Sequence, residues 1–471
     1  MTSLLGPAML SGCISMDGID PKSTTTSVDE LATGQAITQA RHDLPWPQQE
    51  WWQVFQDIQL NELVAHSLQQ HPDIRAARAR ITMAEAQAQM VGALRAPQAS
   101  INSTLVRERF TSLQFIPSPW GGHLEWNNKA TTNLSYDLDL WGQREQQWKS
   151  TLSQVQVATA EAQQVKLSMS SAMVMQYIAL SREYALHEIA KERLEIAQHR
   201  LDILQRALAA GLGTEIEVNQ AATLIPVLRA QLEASAEHVT LMQQQLAALA
   251  GEGPGFTEHL HHPALSLNAV IGLPDSLPAN LIGRRPDIVA AKWRIEASSA
   301  GIASAKAAFY PNINLMSFIG FQAIGFNKLI SDSGLAAGAG PAISLPLFDG
   351  GQRRGNLAAR TAAYDLAVEQ YNSIMLHALQ DISSQLVALE SDTIQHAELL
   401  EALHIAERTH KLAQTRNHAG LANYVQVLDA ESQVLDQRAV LIDLEASRLS
   451  TYASLMQALG GGLEPAPAET H

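Results

Sequence analysis

Residues 132–144 read Thr-Asn-Leu-Ser-Tyr-Asp-Leu-Asp-Leu-Trp-Gly-Gln-Arg. Thr132, Leu134, Tyr136, Leu138 and Leu140 alternate without a break with Asn133, Ser135, Asp137 and Asp139. Successive side chains of an extended chain point to opposite faces, so the stretch predicts a strand with one apolar and one acidic-polar face. Its length, about nine or ten residues, is what a tilted strand needs to cross a bilayer. Downstream, Ile343, Leu345 and Leu347 alternate with Ala342, Ser344 and Pro346. Segments 100–106 and 312–319 are less regular but strand-like. Phe110, Phe115, Trp120, Trp126, Phe321 and Phe326 flank them, where a spanning sheet carries its aromatic girdle. The competing expectation is a small soluble sheet that caps a helical domain.

The two alternating stretches belong to a larger repeat. His71-Pro72-Asp73-Ile74 recurs 214 positions later as Arg285-Pro286-Asp287-Ile288, and Pro97 matches Pro311 at the same offset. Leu140-Trp141-Gly142-Gln143-Arg144 is answered by Leu347-Phe348-Asp349-Gly350-Gly351-Gln352-Arg353. Ala210-Gly211-Leu212 matches Ala419-Gly420-Leu421, with Val218 and Ala221 answering Val427 and Ala430 at an offset of 209. Landmarks in one order, given twice, define an internal duplication.

Each copy has one plan. A helix opening on proline is expected over 72–96 and 286–308. Two strands follow, then a very long helix over 143–209 and 352–419. Gly211 and Gly420 suit the left-handed C-cap that ends it, and a return helix runs to about Ala250 or Leu459. Leu194, Ala197, Leu201, Leu204 and Leu208 recur at alternating spacings of three and four, as do Leu379, Ile382, Leu386 and Leu389, which is the coiled-coil repeat. At 1.5 Å per residue, ~67 residues span roughly 100 Å. Pro226 should kink the first return helix or mark a local change of packing.

Four strands cannot close a transmembrane barrel, whose minimum is about eight. If they span, copies of the chain must pool strands, two giving eight and three giving twelve. The rest of the composition leaves a soluble protein or a β-type membrane protein. The 471 residues carry a net charge of −15, which argues against a nucleic-acid partner. No apolar run approaches the ~18 residues of a membrane helix. The one cysteine, Cys13, excludes an intramolecular disulfide or a cysteine metal cluster. It follows the small apolar segment 1–12 in Leu10-Ser11-Gly12-Cys13, which looks like a lipobox, where cleavage exposes a cysteine for acylation. Ser23 to Ser27 reads as a flexible tether.

Taken together, these landmarks resemble the TolC-like outer-membrane efflux family, in its NodT-type outer-membrane lipoprotein branch. The resemblance is carried by Cys13, Leu273-Pro274 through Leu277-Pro278, Arg284-Arg285-Pro286-Asp287, Asp139-Leu140-Trp141-Gly142, Pro346-Leu347-Phe348-Asp349-Gly350-Gly351, and Asn423-Tyr424 with Leu428-Asp429-Ala430. It extends from about Trp46 to Gly460. It implies a mainly α chain with a membrane β-barrel, and a homotrimer with a shared 12-stranded barrel above an α-helical periplasmic tunnel. An equatorial layer would gather Trp46 to Ser67, Gly251 to Asn280 and the tail. The expected divisions are a signal segment at 1–12, a lipidated tether at 13–45, repeats at 46–270 and 271–460, and a tail at 461–471.

The resemblance further implies a passive, non-enzymatic duct without cofactors, set in outer-membrane lipid. Its partners would be a periplasmic adaptor and an inner-membrane pump of the resistance-nodulation-division or major-facilitator type, and its cargo drugs and other toxic small molecules. Trp46-Pro47 and Trp51-Trp52 lean toward the latter pump. Gly211, Leu212, Gly420 and Leu421 would be hairpin tips that meet the adaptor. Asp429 matches the family's gate aspartate, and three copies around one axis would attract cations. Where some relatives carry a second aspartate this chain has Gln426, and where some carry a tip arginine it has Ala422. Gln220 stands at the first copy's equivalent of Asp429.

Two other stretches are set aside. His259-Leu260-His261-His262 lacks partners at metal-site spacing, and Gly350 to Gly355 lacks the Gly-Lys-Ser/Thr ending of a phosphate loop. The alternatives to a channel are a membrane-anchored periplasmic coiled-coil scaffold and an adaptor without a pore. An adaptor should carry β-rich halves around its hairpin, and the sequence offers none.

Overall fold

The computed structural model of the chain describes residues 15–27, 31, 49–113, 116, 119–267, 284–345 and 347–462. Cys13 with the signal segment, most of the 13–45 tether, Trp46, Phe115, the Leu273 to Pro278 motif, Pro346 and residues 463–471 lie outside the described residues. In chain order, α1 (Ile58–Gln70) and α2 (Pro72–Ala93) precede β1 (Gln98–Arg109) and β2 (Leu124–Asp137). The helices α3 (Gln143–Ala209) and α4 (Glu215–Ala250) complete the first copy. The second repeats it as α5 (Pro286–Ala307), β3 (Asn312–Ile324), β4 (Leu335–Ser344), α6 (Gln352–His418) and α7 (Tyr424–Ala458). Both long helices contain 67 residues. Pro226 lies inside a continuous α4 and does not end it.

The structure falls into two compact units, one collecting Met1–Thr25, Arg80–Thr159 and Ala290–Tyr371. In this unit the strands form one antiparallel sheet in the order β1-β2-β3-β4. The register sets Ile101, Thr132, Ile319 and Ala337 in one row across it, and Ser100, Asn133, Phe318 and Gly338 in the next. Leu134, Tyr136, Ile319 and Ile343 are exposed while Asn133, Ser135 and Asp137 are half-buried, the reverse of a soluble sheet. A Cβ on Gly338 would sit 2.8 Å from the Phe318 ring, so a larger residue there would displace that ring.

The strand reading over 132–140 stops short, because β2 ends at Asp137. Asp139 turns to a positive φ of 43°, and its carboxylate accepts the Arg144 and Glu145 N–H groups at 3.0 and 2.8 Å, capping α3. Asp349 does the same before α6, accepting from Gly351 and Arg353 at 3.0 and 3.2 Å. Gly350 to Gly355 therefore already holds an anion of its own chain. Of the aromatics expected in the girdle, Trp126 and Phe326 are exposed with rings 5.5 Å apart, but Phe110 is buried in the loop that closes the first hairpin. At the opposite end of the sheet Trp141 stacks on Tyr310 at 4.7 Å and donates to the Pro311 carbonyl at 2.8 Å.

The N-terminal segment is a strap rather than a loose tether. Met16 and Ile19 pack on Ile302, Ala305 and Leu357, and Arg354 donates to the Ser15 and Asp17 carbonyls. The Ser23 and Lys22 N–H groups donate to Asp365 at 3.0 and 2.9 Å. Backbone groups that a free tether would leave to water thus have fixed partners.

The other unit comprises Thr26–Ala79, Ala160–Val289 and Asn372–His471. Its centre is the buried carboxylate of Asp57, which caps α1 through Leu60 N–H and accepts from the Tyr177 hydroxyl and Ala264 N–H, all within 3.0 Å. Burial pushes the Tyr177 phenol well above its ordinary pKa. Trp51, Trp52 and Phe55 are buried, and Phe55 meets Tyr452 edge-on. Arg285 of the Arg-Arg-Pro-Asp motif forks onto Asp287 at 3.1 and 2.8 Å and donates to the Ala458 carbonyl, tying the start of α5 to the end of α7.

The two amides donated by Ser23 and Lys22 hold the Asp365 carboxyl below its ordinary value. A depressed folded pKa contributes stability above the unfolded value, near 4, and that contribution is lost as pH falls through the folded one. Hydrogen exchange at Lys22 and Ser23 should therefore lose protection below roughly pH 4. Asp365→Ala should remove it at neutral pH, and retained protection there would contradict the clamp.

Candidate channel gate

The hairpin tips are built from chain-terminating chemistry, twice. Gly211 and Gly420 adopt φ of 73° and 71°. One residue on, Leu212 N–H reaches back to the Ala207 carbonyl and Leu421 N–H to the Arg416 carbonyl, both at 2.8 Å, which ends each long helix in a Schellman turn. The return helices then start on side-chain caps. Thr214 and Glu217 form a reciprocal capping box, and Asn423 accepts the Gln426 N–H at 3.0 Å. The Thr214 backbone N–H and hydroxyl hold the Glu217 carboxyl below its ordinary value. Helix termination thereby uses only the backbone of Leu212 and Leu421, whose side chains stand 85% and 70% exposed.

Asp429, expected as the family's lumen-facing gate aspartate, has a cation partner in its own chain. It lies 2.5 Å from Arg200 on α3. The pair is one rung of a ladder between α3 and α7. Arg193 meets Asp436 and Arg182 meets Asp443, both at 2.7 Å, while Glu192 meets Arg438 at 3.0 Å. Numbers rise along one helix as they fall along the other, the order of an antiparallel pair. Asp429, Asp436 and Asp443 are spaced by seven, as are Arg193 and Arg200, so each set shares one helix face. These rungs are half-exposed, and each contributes only about 0.2–1 kcal/mol.

The structure thus brings Gly420, Leu421, Gln426 and Asp429 together at the α6–α7 tip, sets Gly211 and Leu212 at the α3–α4 tip, and links the two hairpins through Arg200. Reading the sequence missed the arginines. The signal was there, in seven-residue spacings on two helices, but nothing local says that α3 faces α7. The histidine stretch has other employment: His262 lies against Tyr184, and His261 N–H donates to Gln59. Among the described residues no group of three or more ligating side chains is placed to hold a metal. Among them, too, no helix is long and apolar enough to cross a membrane.

A model of the outer membrane efflux protein family matches residues 63–252 and 277–461. The fusaric acid resistance protein FusA of Burkholderia cepacia is 38% identical over 357 residues, 75% of this chain and 67% of that one. The multidrug resistance outer membrane protein MdtQ of Escherichia coli is 30% identical over 476 residues, 96% of each chain. Among solved structures, the outer membrane protein VceC of Vibrio cholerae superposes with a TM-score of 0.81 at 32% identity, covering 89% of this chain and all of that one. The chain belongs to the outer membrane efflux protein family. It is an outer-membrane efflux channel, not an enzyme, of a class that works with adaptor and inner-membrane pump partners. The scaffold and adaptor alternatives fall with that assignment.

The ladder predicts that Arg193→Ala and Asp436→Ala are coupled. A double-mutant cycle, read from local hydrogen-exchange opening of α7, should give about 0.2–1 kcal/mol at low salt and near zero at 1 M salt. Additive effects at low salt would remove the rung.

Proposed function

We propose that three copies of this chain form one 12-stranded barrel above a helical tunnel and that the conduit passively exports drugs and other toxic small molecules. The observation that carries the shared barrel is the sheet itself. Its apolar face is exposed, its opposite face is largely polar, and β1 and β4 have no neighbour on their outer edges in the described sheet. An edge left open in lipid strands backbone groups at several kcal/mol each, and only closure with other copies satisfies them. The resistance named in FusA and MdtQ supports the cargo class. The inner-membrane pump would be of the resistance-nodulation-division or major-facilitator type, and the exposed Leu212 and Leu421, beside Gly211 and Gly420, would dock the periplasmic adaptor. In a planar bilayer the purified protein should conduct as single channels and run as a heat-modifiable oligomer. A non-conducting, soluble chain would overturn the reading.

Asp429 and Gln426 then lie at the narrowing mouth. Arg200 tempers the carboxylate ring, so its removal should make the mouth more cation-attracting. Arg200→Ala should strengthen block by a trivalent cation applied from the periplasmic side, and Asp429→Ala should weaken it. Unchanged block in both variants would put Asp429 outside the conduction path.

Cys13 is proposed as a lipidated N-terminus. Ser15 is bound by Arg354, which lies in the first turn of α6, close in sequence to the end of β4 at Ser344. A cysteine acylated two residues before that contact would carry its acyl chains into lipid. Cys13→Ser should abolish fatty-acid labelling while the protein stays in the membrane, and retained label would reject the site.

A further inference from the structure

The duplication makes a second seam predictable from the first. Both long helices contain 67 residues and both hairpins turn at equivalent glycines, so each residue of α3 or α4 has a counterpart 209 positions later in α6 or α7. Within the chain α3 packs on α7 through the ladder. The pseudo-equivalent faces are those of α6 and α4, and among the described residues they have no such partner. Ile196 and Ile203, which share the ladder face of α3 by their spacing from Arg193 and Arg200, are half-buried. Their counterparts Ile405 and Leu412 are 52% and 62% exposed. Glu192 is half-buried against Arg438, whereas its counterpart Glu401 is exposed, and so is Arg229, the counterpart of Arg438. Among the described residues neither Arg229 nor Glu401 has an ion-pair partner.

The other rungs change character at the second seam. Arg182, Arg193 and Arg200 are replaced by Ser391, Ala402 and Thr409. Asp443, Asp436 and Asp429 are replaced by Ala234, Val227 and Gln220. Both halves of each Arg–Asp rung have been lost together, so none of those three rungs is left half-charged. Both halves of the Glu–Arg rung have been kept.

We infer that a second copy of this chain covers the exposed face of α6, its Arg229 on α4 pairing with Glu401 and repeating between copies the Glu192–Arg438 contact made within one. Complementary charge at the one retained rung and matched neutral residues at the others fit a copy of the chain better than an unrelated partner. The seam between copies carries one charged rung where the internal seam has four, so it is the more apolar and the less salt-sensitive of the two. The inference rests on the shared assembly proposed above and adds the register at which copies meet.

The test joins the two positions chemically. In a Cys13→Ser background, Arg229→Cys with Glu401→Cys should give covalent trimers when treated with a bismaleimide of about 10 Å reach, and either cysteine alone should not. Sedimentation of the untreated chain separates the two levels of the claim. An oligomer that yields no links between copies, or links only within one chain, overturns the seam and leaves the shared barrel standing. A monomer overturns both. If the cysteine pair fails to fold, Arg229→Glu with Glu401→Arg replaces it: each single reversal should loosen the oligomer and the exchanged pair should restore it. Failure of that rescue, with the oligomer otherwise intact, also overturns the seam.

Discussion

The backbone of an edge strand cannot be left unpaired in hydrocarbon, and the organisation of this chain follows from that constraint. Its sheet turns apolar side chains outward and polar ones inward, so it is suited to lipid on one side and water on the other. Among the described residues the sheet nevertheless has two free edges. Each unmet N–H or C=O in a bilayer costs several kcal/mol, far more than any surface ion pair in the molecule supplies. The fold is thus unfinished by design, and its strands call for neighbours in a way that its helices alone would not.

Duplication supplies the means. Each copy of the unit provides one hairpin of strands and one of helices, and the same local devices recur at matching places: a proline-opened helix, an aspartate that ends the strand region and caps the long helix, a glycine Schellman turn at the tip. What the copies do not share is charge. The α3–α7 seam is laddered with arginine and aspartate, while the counterpart residues on α6 and α4 are almost neutral. The two hairpins have the same backbone and different surfaces, so contacts within the chain are distinguishable from contacts outside it.

The N-terminal strap adds a third element. Residues 15–27 carry few apolar side chains, yet Met16 and Ile19 find a small core and the backbone is taken up by Arg354, Asp365 and Asn372. A segment whose composition reads as linker is held because polar groups on α6 are spaced to receive its amides. No propensity scale carries that information, since it depends on where a distant helix passes.

Alternation, duplication and helix length were legible in the sequence because each rests on periodicity along one chain. So were the caps, which are chemistry between near neighbours. The long helices begin where the sequence placed them, and the tips turn at Gly211 and Gly420. Contacts between elements were not legible. The strand reading ran past Asp137 because Leu138 and Leu140 kept the alternation while Asp139 was already capping a helix. Asp429 was read without Arg200 because that partner lies 229 positions away. The sequence by itself determined the repeat, its elements and the amphipathic strands that need a membrane. Only tertiary structure decided which helix faces meet, because coiled-coil periodicity makes a face sticky without saying which other face will cover it.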